Sequence, residues 1–196
     1  MFYDRFTRFL HLLFAFGIVA QLLISEWMVH PRPDKAGNFL YEVHEKVGIA
    51  IFAVLVVHWL WSFVRGGPVS LGELFPWFSS AHRSVLWQDI KRYMRAIFTF
   101  RLPPANEPSP LAGAIQGLGL LIATGLAGTG TLIFYNVGEN WQFSSWLSLV
   151  KEVHELLGPA MWAYLVVHVG ASVLHEIFGH RIIHSMFNFL KKNPDS

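Results

Sequence analysis

Four long segments of the chain are almost entirely apolar, and clusters of polar residues separate them. None of the four has an Asp, Glu, Lys or Arg at its centre. A helix needs roughly 20 mostly apolar residues to cross the hydrocarbon core of a bilayer. The pattern therefore predicts a single domain over residues 1–196 with four membrane-spanning helices, at about 6–26, 44–65, 109–136 and 153–177.

The composition supports an all-α membrane protein. The chain is 53% hydrophobic and 14% charged, whereas ordinary soluble domains are about 25% charged. Arg5 and Arg8 precede the first apolar segment as in a signal peptide, but no small-residue cleavage site follows it. We therefore expect a retained first span. The absence of Cys excludes disulfides, thiolate haem ligation, iron–sulfur clusters and covalent haem attachment.

The Lys and Arg residues predict the orientation in the membrane, because cytoplasmic loops carry an excess of both. Only four flank the spans on one side, namely Arg32, Lys35, Lys46 and Lys151. The other eleven precede span one, join spans two and three, or follow span four. Both termini are thus predicted to be cytoplasmic. This bias explains the pI near 9.0, so we expect membrane lipid and no nucleic acid as a partner.

The loop between spans two and three is long and contains VLWQDIKRYMRAIF between the turn-rich stretches RGGP and RLPPANEPSP. Apolar and basic residues alternate there at helical spacing. The pattern predicts an amphipathic helix on the cytoplasmic surface of the bilayer. The alternative is a solvated connector without a partner.

The third span is rich in small residues. Gly113 and Gly117 form a GxxxG pair, and Gly125, Gly128 and Gly130 follow. Small residues let a neighbouring helix or a flat cofactor approach the backbone closely.

Two spans repeat the same pattern of histidines. YEVHEKVGIAIFAVLVVHWLW begins at Tyr41, and KEVHELLGPAMWAYLVVHVGA begins at Lys151. In each, a second His follows the first by fourteen residues. On an α-helix this spacing rotates by about 1,400°, within about 40° of four whole turns, and rises about 21 Å. Both His of a pair therefore share one face, with one near each membrane surface.

This arrangement suits two haems stacked in a helix bundle, because facing helices can supply the axial nitrogens. Ionisable residues inside a membrane are usually functional. His44 and His154 lie at the same level and are predicted to bind one iron. His168 needs its own partner. The repeat favours His58, whereas His11 in the first span lies at the same level, so the residues alone leave both open.

Another histidine motif, HEIFGH at His175–His180, resembles a metalloprotease helix but departs from it. Its two histidines are five residues apart, whereas HExxH places them four apart on one face. We expect this pair not to share a face. His180 and His184, with Arg181 between them, are predicted to lie in a solvated tail.

Several motifs together resemble a known family. They include RFLHLLFAF in span one, EVHEKVG and WLWSFVRG around span two, EPSPLAGA before span three, VHELLG and LVVHVGASVLHE in span four, and the terminal HSMFNFLKK. They cover nearly the whole chain. The chain is similar to the bacterial di-haem cytochrome b561 family, which includes the cytochrome b subunits of Ni/Fe-hydrogenase and formate dehydrogenase.

The resemblance implies a four-helix transmembrane bundle that encloses two non-covalent b haems. It assigns His11 with His168 and His44 with His154 as the axial ligands of the two irons. His58 departs from the family pattern, which more often has Arg there. The alternatives for His58 are a supporting role beside a haem propionate, one beside a quinone, or no role at the cofactor.

The function implied is electron transfer across a bacterial inner membrane. A haem with two axial His has no open position, so it passes electrons but does not readily bind oxygen. The implied partners are the quinone pool, with quinone as substrate, and a periplasmic cytochrome or a dehydrogenase or hydrogenase subunit. One alternative is a stand-alone oxidoreductase that moves electrons between superoxide and quinone. A His-based metal or proton transporter is less favoured, because the spans lack central carboxylates.

Overall fold

The protein is described here from a computed structural model, which covers residues 4–64, 71–99, 103, 109–138 and 141–187. Its helices are α1 Arg5–Trp27, α2 Phe39–Val64, α3 Leu71–Leu74, α4 Ser80–Thr99, α5 Pro110–Asn136, α6 Ser145–Ile177 and α7 Ile182–Phe187, with a 3₁₀ turn at Pro76–Phe78. Within these residues the only β structure is an isolated bridge between Arg32 and Lys35. The predicted RGGP turn, most of RLPPANEPSP and the end of HSMFNFLKK lie outside them.

Four of the helices, α1, α2, α5 and α6, are long and apolar enough to cross a membrane. Each has 23 to 33 residues, so each extends about 35 Å or more along its axis. The predicted all-α fold with four spans is thereby confirmed. The helices α2 and α6 begin at Phe39 and Ser145, several residues before the predicted spans. Their first turns carry polar residues, which apolar periodicity does not detect.

The start of α5 shows how the sequence fixes a span boundary. Ser109 precedes the helix, and its hydroxyl accepts a hydrogen bond from the Ala112 amide at 3.1 Å. Pro110 occupies the first helical position, where no amide donor is needed. The Asp89 carboxylate of α4 accepts bonds from the Leu111 amide at 3.1 Å and the Ser109 hydroxyl at 2.7 Å. The serine and the carboxylate together satisfy amides that the helix itself leaves unpaired.

The chain divides into two compact units. One, which we call the cavity unit, consists of Leu10–His58 and Leu121–Ala163. The other, which we call the loop unit, consists of Met1–Phe9, Trp59–Leu120 and Tyr164–Ser196. The cavity unit has a core of apolar side chains from α1, α2, α5 and α6: Leu10, Ile18, Leu22, Ile51, Leu55, Ala123, Leu147 and Met161.

In the loop unit, the glycine pair of α5 packs against the polypeptide of α3. A Cβ on Gly113 would lie 2.4 Å from the carbonyl oxygen of Glu73, and one on Gly117 would lie 2.0 Å from that of Leu74. Real Cβ atoms do not approach backbone so closely. The GxxxG pair therefore packs against the short helix α3. This helix belongs to the loop between spans two and three.

Candidate functional site

Two of the repeated histidines meet in the cavity unit. The rings of His44 in α2 and His154 in α6 have centroids 6.3 Å apart and planes at 90°. A metal–imidazole bond is about 2 Å long and its nitrogen lies roughly 1 Å from the ring centre, so imidazoles sharing one metal have centroids about 6 Å apart. The observed spacing therefore fits a single metal ion held between the two rings.

A hydroxyl group of α5 orients the His154 ring. Nδ1 of His154 lies 2.9 Å from the hydroxyl oxygen of Thr129. That hydroxyl also lies 2.6 Å from the Gly125 carbonyl oxygen and 3.2 Å from that of Leu126, so it can donate its hydrogen to the backbone and accept from His154. In that arrangement Nδ1 carries the hydrogen, and Nε2 keeps a lone pair. A partner of this kind is the usual way in which a metal-binding His is oriented and its tautomer fixed.

The His44 ring is held differently. Gln21 of α1 donates from Nε2 to the backbone carbonyl of His44 at 2.8 Å. A Cβ on Gly48 would lie 2.8 Å from the same Nε2, so Gly48 makes room for the amide. Within the described residues, Nδ1 of His44 and Oε1 of Gln21 are buried without a hydrogen-bond partner. Gln21 thus ties α1 to α2 at the level of His44 but leaves the tautomer of that ring open.

A cavity of about 340 Å³ adjoins both rings, which is within the usual range for ligand sites. Its walls are mostly apolar, and small residues on three helices widen it: Gly48, Ala123, Ala127, Gly130 and Gly158. At Gly130, a Cβ would lie 3.1 Å from Cε1 of His154. The small side chains leave room for a flat apolar group beside the two imidazoles.

One part of the cavity wall is polar. Lys151 and Glu155 of α6 line it and form an ion pair, and Trp162 donates to the carboxylate of Glu26 at 3.2 Å. His30, in the segment between α1 and α2, also lines it. Burial and the charge of Lys151 lower the pKa of His30, against a smaller opposing effect of Glu155. His30 is therefore neutral near pH 7, and Lys151 provides the positive charge.

The remaining predicted site residues lie in both units. In the cavity unit, His58 packs its ring against Phe14 at 6.2 Å between centroids, and His11 is half-buried in α1. In the loop unit, His168 stacks on Tyr164 with centroids 5.4 Å apart and planes at 14°. The structure thus brings His44 and His154 together. The pairing of His168 with His11 and the supporting role of His58 stay predictions.

The structure corrects the prediction for the HEIFGH motif. The helix α6 ends at Ile177, and Gly179 with a φ of 84° turns the chain back. Nδ1 of His180 then lies 2.8 Å from Nδ1 of His175, which is only 8% exposed. His180 is therefore not part of a solvated tail. Helical spacing keeps residues five apart off one face, and only the turn at Gly179, a residue that often ends a helix, brings the two rings together.

This second histidine pair also contacts α4. Tyr93 of α4 packs against His175 with ring centroids 6.1 Å apart. Within the part of the chain that the structure describes, no group of three or more His, Cys, Asp or Glu side chains is arranged to hold a metal ion.

Comparison with known proteins identifies the family. The family model of the prokaryotic cytochrome b561 matches residues 2–189. No curated protein and no solved structure matches the chain significantly. The family match covers nearly the whole chain and agrees with the four apolar helices and the facing imidazoles. The chain belongs to the prokaryotic cytochrome b561 family, whose members are multi-pass membrane proteins that bind b haem and transfer electrons through the membrane.

Proposed function

We propose that His44 and His154 are the two axial ligands of one b haem. The observation that carries this proposal is the pair of facing imidazoles, 6.3 Å apart at a cavity with mostly apolar walls. The Thr129 hydroxyl beside Nδ1 of His154 supports it, because Nε2 is free to bind iron when Nδ1 donates to that hydroxyl. A bound haem supplies a one-electron redox couple. The chain's own residues orient the ligands and exclude water, which favours electron transfer over oxygen chemistry.

We further propose a second b haem with His168 as one ligand and His11 as the other, so that each chain holds two haems without covalent attachment. Span four contributes one ligand to each haem in this scheme. The support is the family resemblance of RFLHLLFAF and the depth of His11 and His168 along their helices. His58 then acts beside a haem or a quinone without binding iron.

The proposed physiological reaction carries electrons between a periplasmic redox partner and the quinone pool of a bacterial inner membrane. The excess of Lys and Arg at the chain ends and in the loop between spans two and three supports cytoplasmic termini. A periplasmic reporter fused after Ser196 should therefore be inactive. A strongly active fusion would reverse the orientation.

The partner of the cytochrome distinguishes two versions of the function. A cytochrome subunit co-purifies with a catalytic dehydrogenase or hydrogenase subunit, and quinol reduces it. A stand-alone superoxide:quinone oxidoreductase purifies alone and exchanges electrons with superoxide and quinone. Mild-detergent purification followed by rapid-mixing spectra with a quinol and with superoxide tells the two apart.

The ligand assignment is tested by haem content and redox titration. The wild-type protein should give about two haems per chain in a pyridine haemochrome assay. His44→Ala and His154→Ala should each remove the same redox component and leave the other. His82→Ala, at an exposed position of α4, is the control and should keep both. Loss of different components in the two variants, or of none, would refute the proposed pair.

A further inference from the structure

The helix α4 exposes an apolar stripe. Trp87, Met94 and Phe98 lie within about 40° of one another around the helix, and they are 58%, 51% and 77% exposed. A fully solvated helix would normally carry polar residues on that side. Contiguous exposed apolar side chains of this size mark an interaction surface.

Basic residues accompany this stripe. The Lys91 ammonium lies over the Trp87 ring, 5.4 Å from its centroid, and Arg95 is exposed one helical turn further on. Lys91 and Arg95 project from the same flank of the stripe, about 20° to 60° beyond Phe98. The surface therefore combines aromatic side chains with positive charge, which suits an amphipathic partner that carries negative charge.

The opposite face of α4 is fixed inside the loop unit. Asp89 is 7% exposed and accepts hydrogen bonds from the Leu111 amide and the Ser109 hydroxyl at the start of α5. Ala96 is also buried, and Tyr93 packs against His175. The helix cannot rotate its stripe inward without breaking these contacts, so the stripe stays on the outside of the loop unit.

The contact with α5 also indicates which surroundings the exposed stripe of α4 faces. The helix α5 is one of the four spans, and Asp89 holds its first turn. Since a span starts at a membrane surface, α4 lies at that surface. Exposed Trp and Phe on such a helix are typical of the bilayer interface. A bilayer that contains anionic lipid supplies both an apolar layer and negative headgroups.

We propose that the α4 surface is a binding site for anionic phospholipid, in which Trp87, Met94 and Phe98 insert among the acyl chains and Lys91 and Arg95 bind the headgroup phosphates. This site lies in the loop unit and contains none of the proposed haem ligands. It would hold α4, and through Asp89 the start of α5, at a fixed depth in the membrane.

The depth of the stripe can be measured with spin labels, because the chain has no Cys. Phe98→Cys and Gln88→Cys each give a single labelling position on α4, one on the stripe and one about 80° away from it. In lipid nanodiscs, the label at 98 should be accessible to oxygen but shielded from a water-soluble nickel complex. The label at 88 should be accessible to the nickel complex.

A water-accessible label at 98 would show that α4 is a solvated connector. A label at 98 shielded from both reagents would show that a protein covers the stripe. Either outcome overturns the proposal.

Headgroup selectivity needs a second measurement. Spin-labelled phosphatidylglycerol should associate with the wild-type protein more strongly than spin-labelled phosphatidylcholine. Lys91→Gln with Arg95→Gln should reduce this preference, by about fivefold for each basic residue near the surface. Arg32→Gln with Lys35→Gln, two exposed basic residues between α1 and α2, are the matched control. If both pairs reduce the preference equally, only net charge matters and the assigned site is wrong.

Discussion

The two compact units of the protein bury different kinds of side chain. Buried hydrophobic residues dominate the cavity unit. All the buried polar or charged residues found among the described positions belong to the loop unit, namely Thr7, Arg8, Ser62, Asp89 and His175. In the loop unit these groups bond within the chain, as when Trp61 donates to the Thr7 hydroxyl at 3.0 Å. In the cavity unit the imidazoles of His44 and His154 instead face an apolar cavity.

The difference separates two kinds of polar group in a membrane protein. Some hold the fold together through hydrogen bonds within the chain, and others face a cavity where a ligand can bind. A polar group away from water destabilises the fold unless it is hydrogen-bonded. The loop unit meets this condition with internal partners, such as the Asp89 carboxylate at the start of α5. The cavity unit meets it only in part, because Nδ1 of His44 has no partner within the described residues. We propose that its imidazoles meet this condition by binding a haem.

The largest expected effect concerns the other two histidines of the cavity unit. His11→Ala should remove one of the two proposed haems, because the family resemblance implies that His11 is an axial ligand. His58→Ala should keep both haems and at most shift one midpoint potential. Haem content and reduced spectra of the two variants measure this. If His58→Ala loses the haem and His11→Ala does not, the internal repeat was the better guide.

A smaller effect is expected from the hydroxyl that orients His154. Thr129→Val removes the acceptor for Nδ1, and loss of such a partner typically weakens metal binding about 10–100-fold. We expect faster loss of the haem that we propose for His154 when a haem-scavenging protein is added. Thr129→Ser should restore retention. Thr131→Val, at another cavity-lining position of α5, is the matched control, and an equal effect there would show that only cavity polarity matters.

A still smaller effect is expected when a methyl group fills the space beside the His154 ring. Gly130→Ala would place a Cβ 3.1 Å from Cε1 of His154, so the ring must move away by a few tenths of an ångström. Gly128→Ala meets nothing within 4 Å and serves as its control. We expect Gly130→Ala to shift the midpoint potential of the component that depends on His154, with both haems retained. No difference between the two variants would mean that the ring adapts freely.

The cavity unit was largely predictable from the sequence. Long apolar runs identify its helices, and the spacing of His44 and His154 within a repeated motif anticipated their meeting at one level. Regular helix geometry carries such information over many residues. The hydroxyl of Thr129 was not anticipated, because its role depends on the relative rotation of α5 and α6, which no spacing within one helix encodes.

The loop unit was much less predictable. The amphipathic character of α4 was visible from its pattern, but the packing of α3 against Gly113 and Gly117 was not. Nor was the contact between His175 and His180, which depends on the turn at Gly179. These contacts join segments through irregular backbone, where one residue in a left-handed conformation redirects the chain. Apolar periodicity gives no information about such irregular segments.

The smallest predicted effect tests the structural role assigned to the loop unit. Asp89→Ala leaves the Leu111 amide and the Ser109 hydroxyl without their acceptor. Loss of a capping group of this kind typically costs about 1 kcal/mol. The thermal unfolding midpoint in detergent should therefore fall, and Asp89→Asn should recover part of the loss because its amide oxygen still accepts one bond. Asp34→Ala, at an exposed position between α1 and α2, should leave the midpoint unchanged. Haem content should remain at the wild-type value in all three variants. A fall in haem content with Asp89→Ala would remove the contrast between the two units, because a carboxylate that is hydrogen-bonded within the loop unit would then also be necessary for cofactor binding.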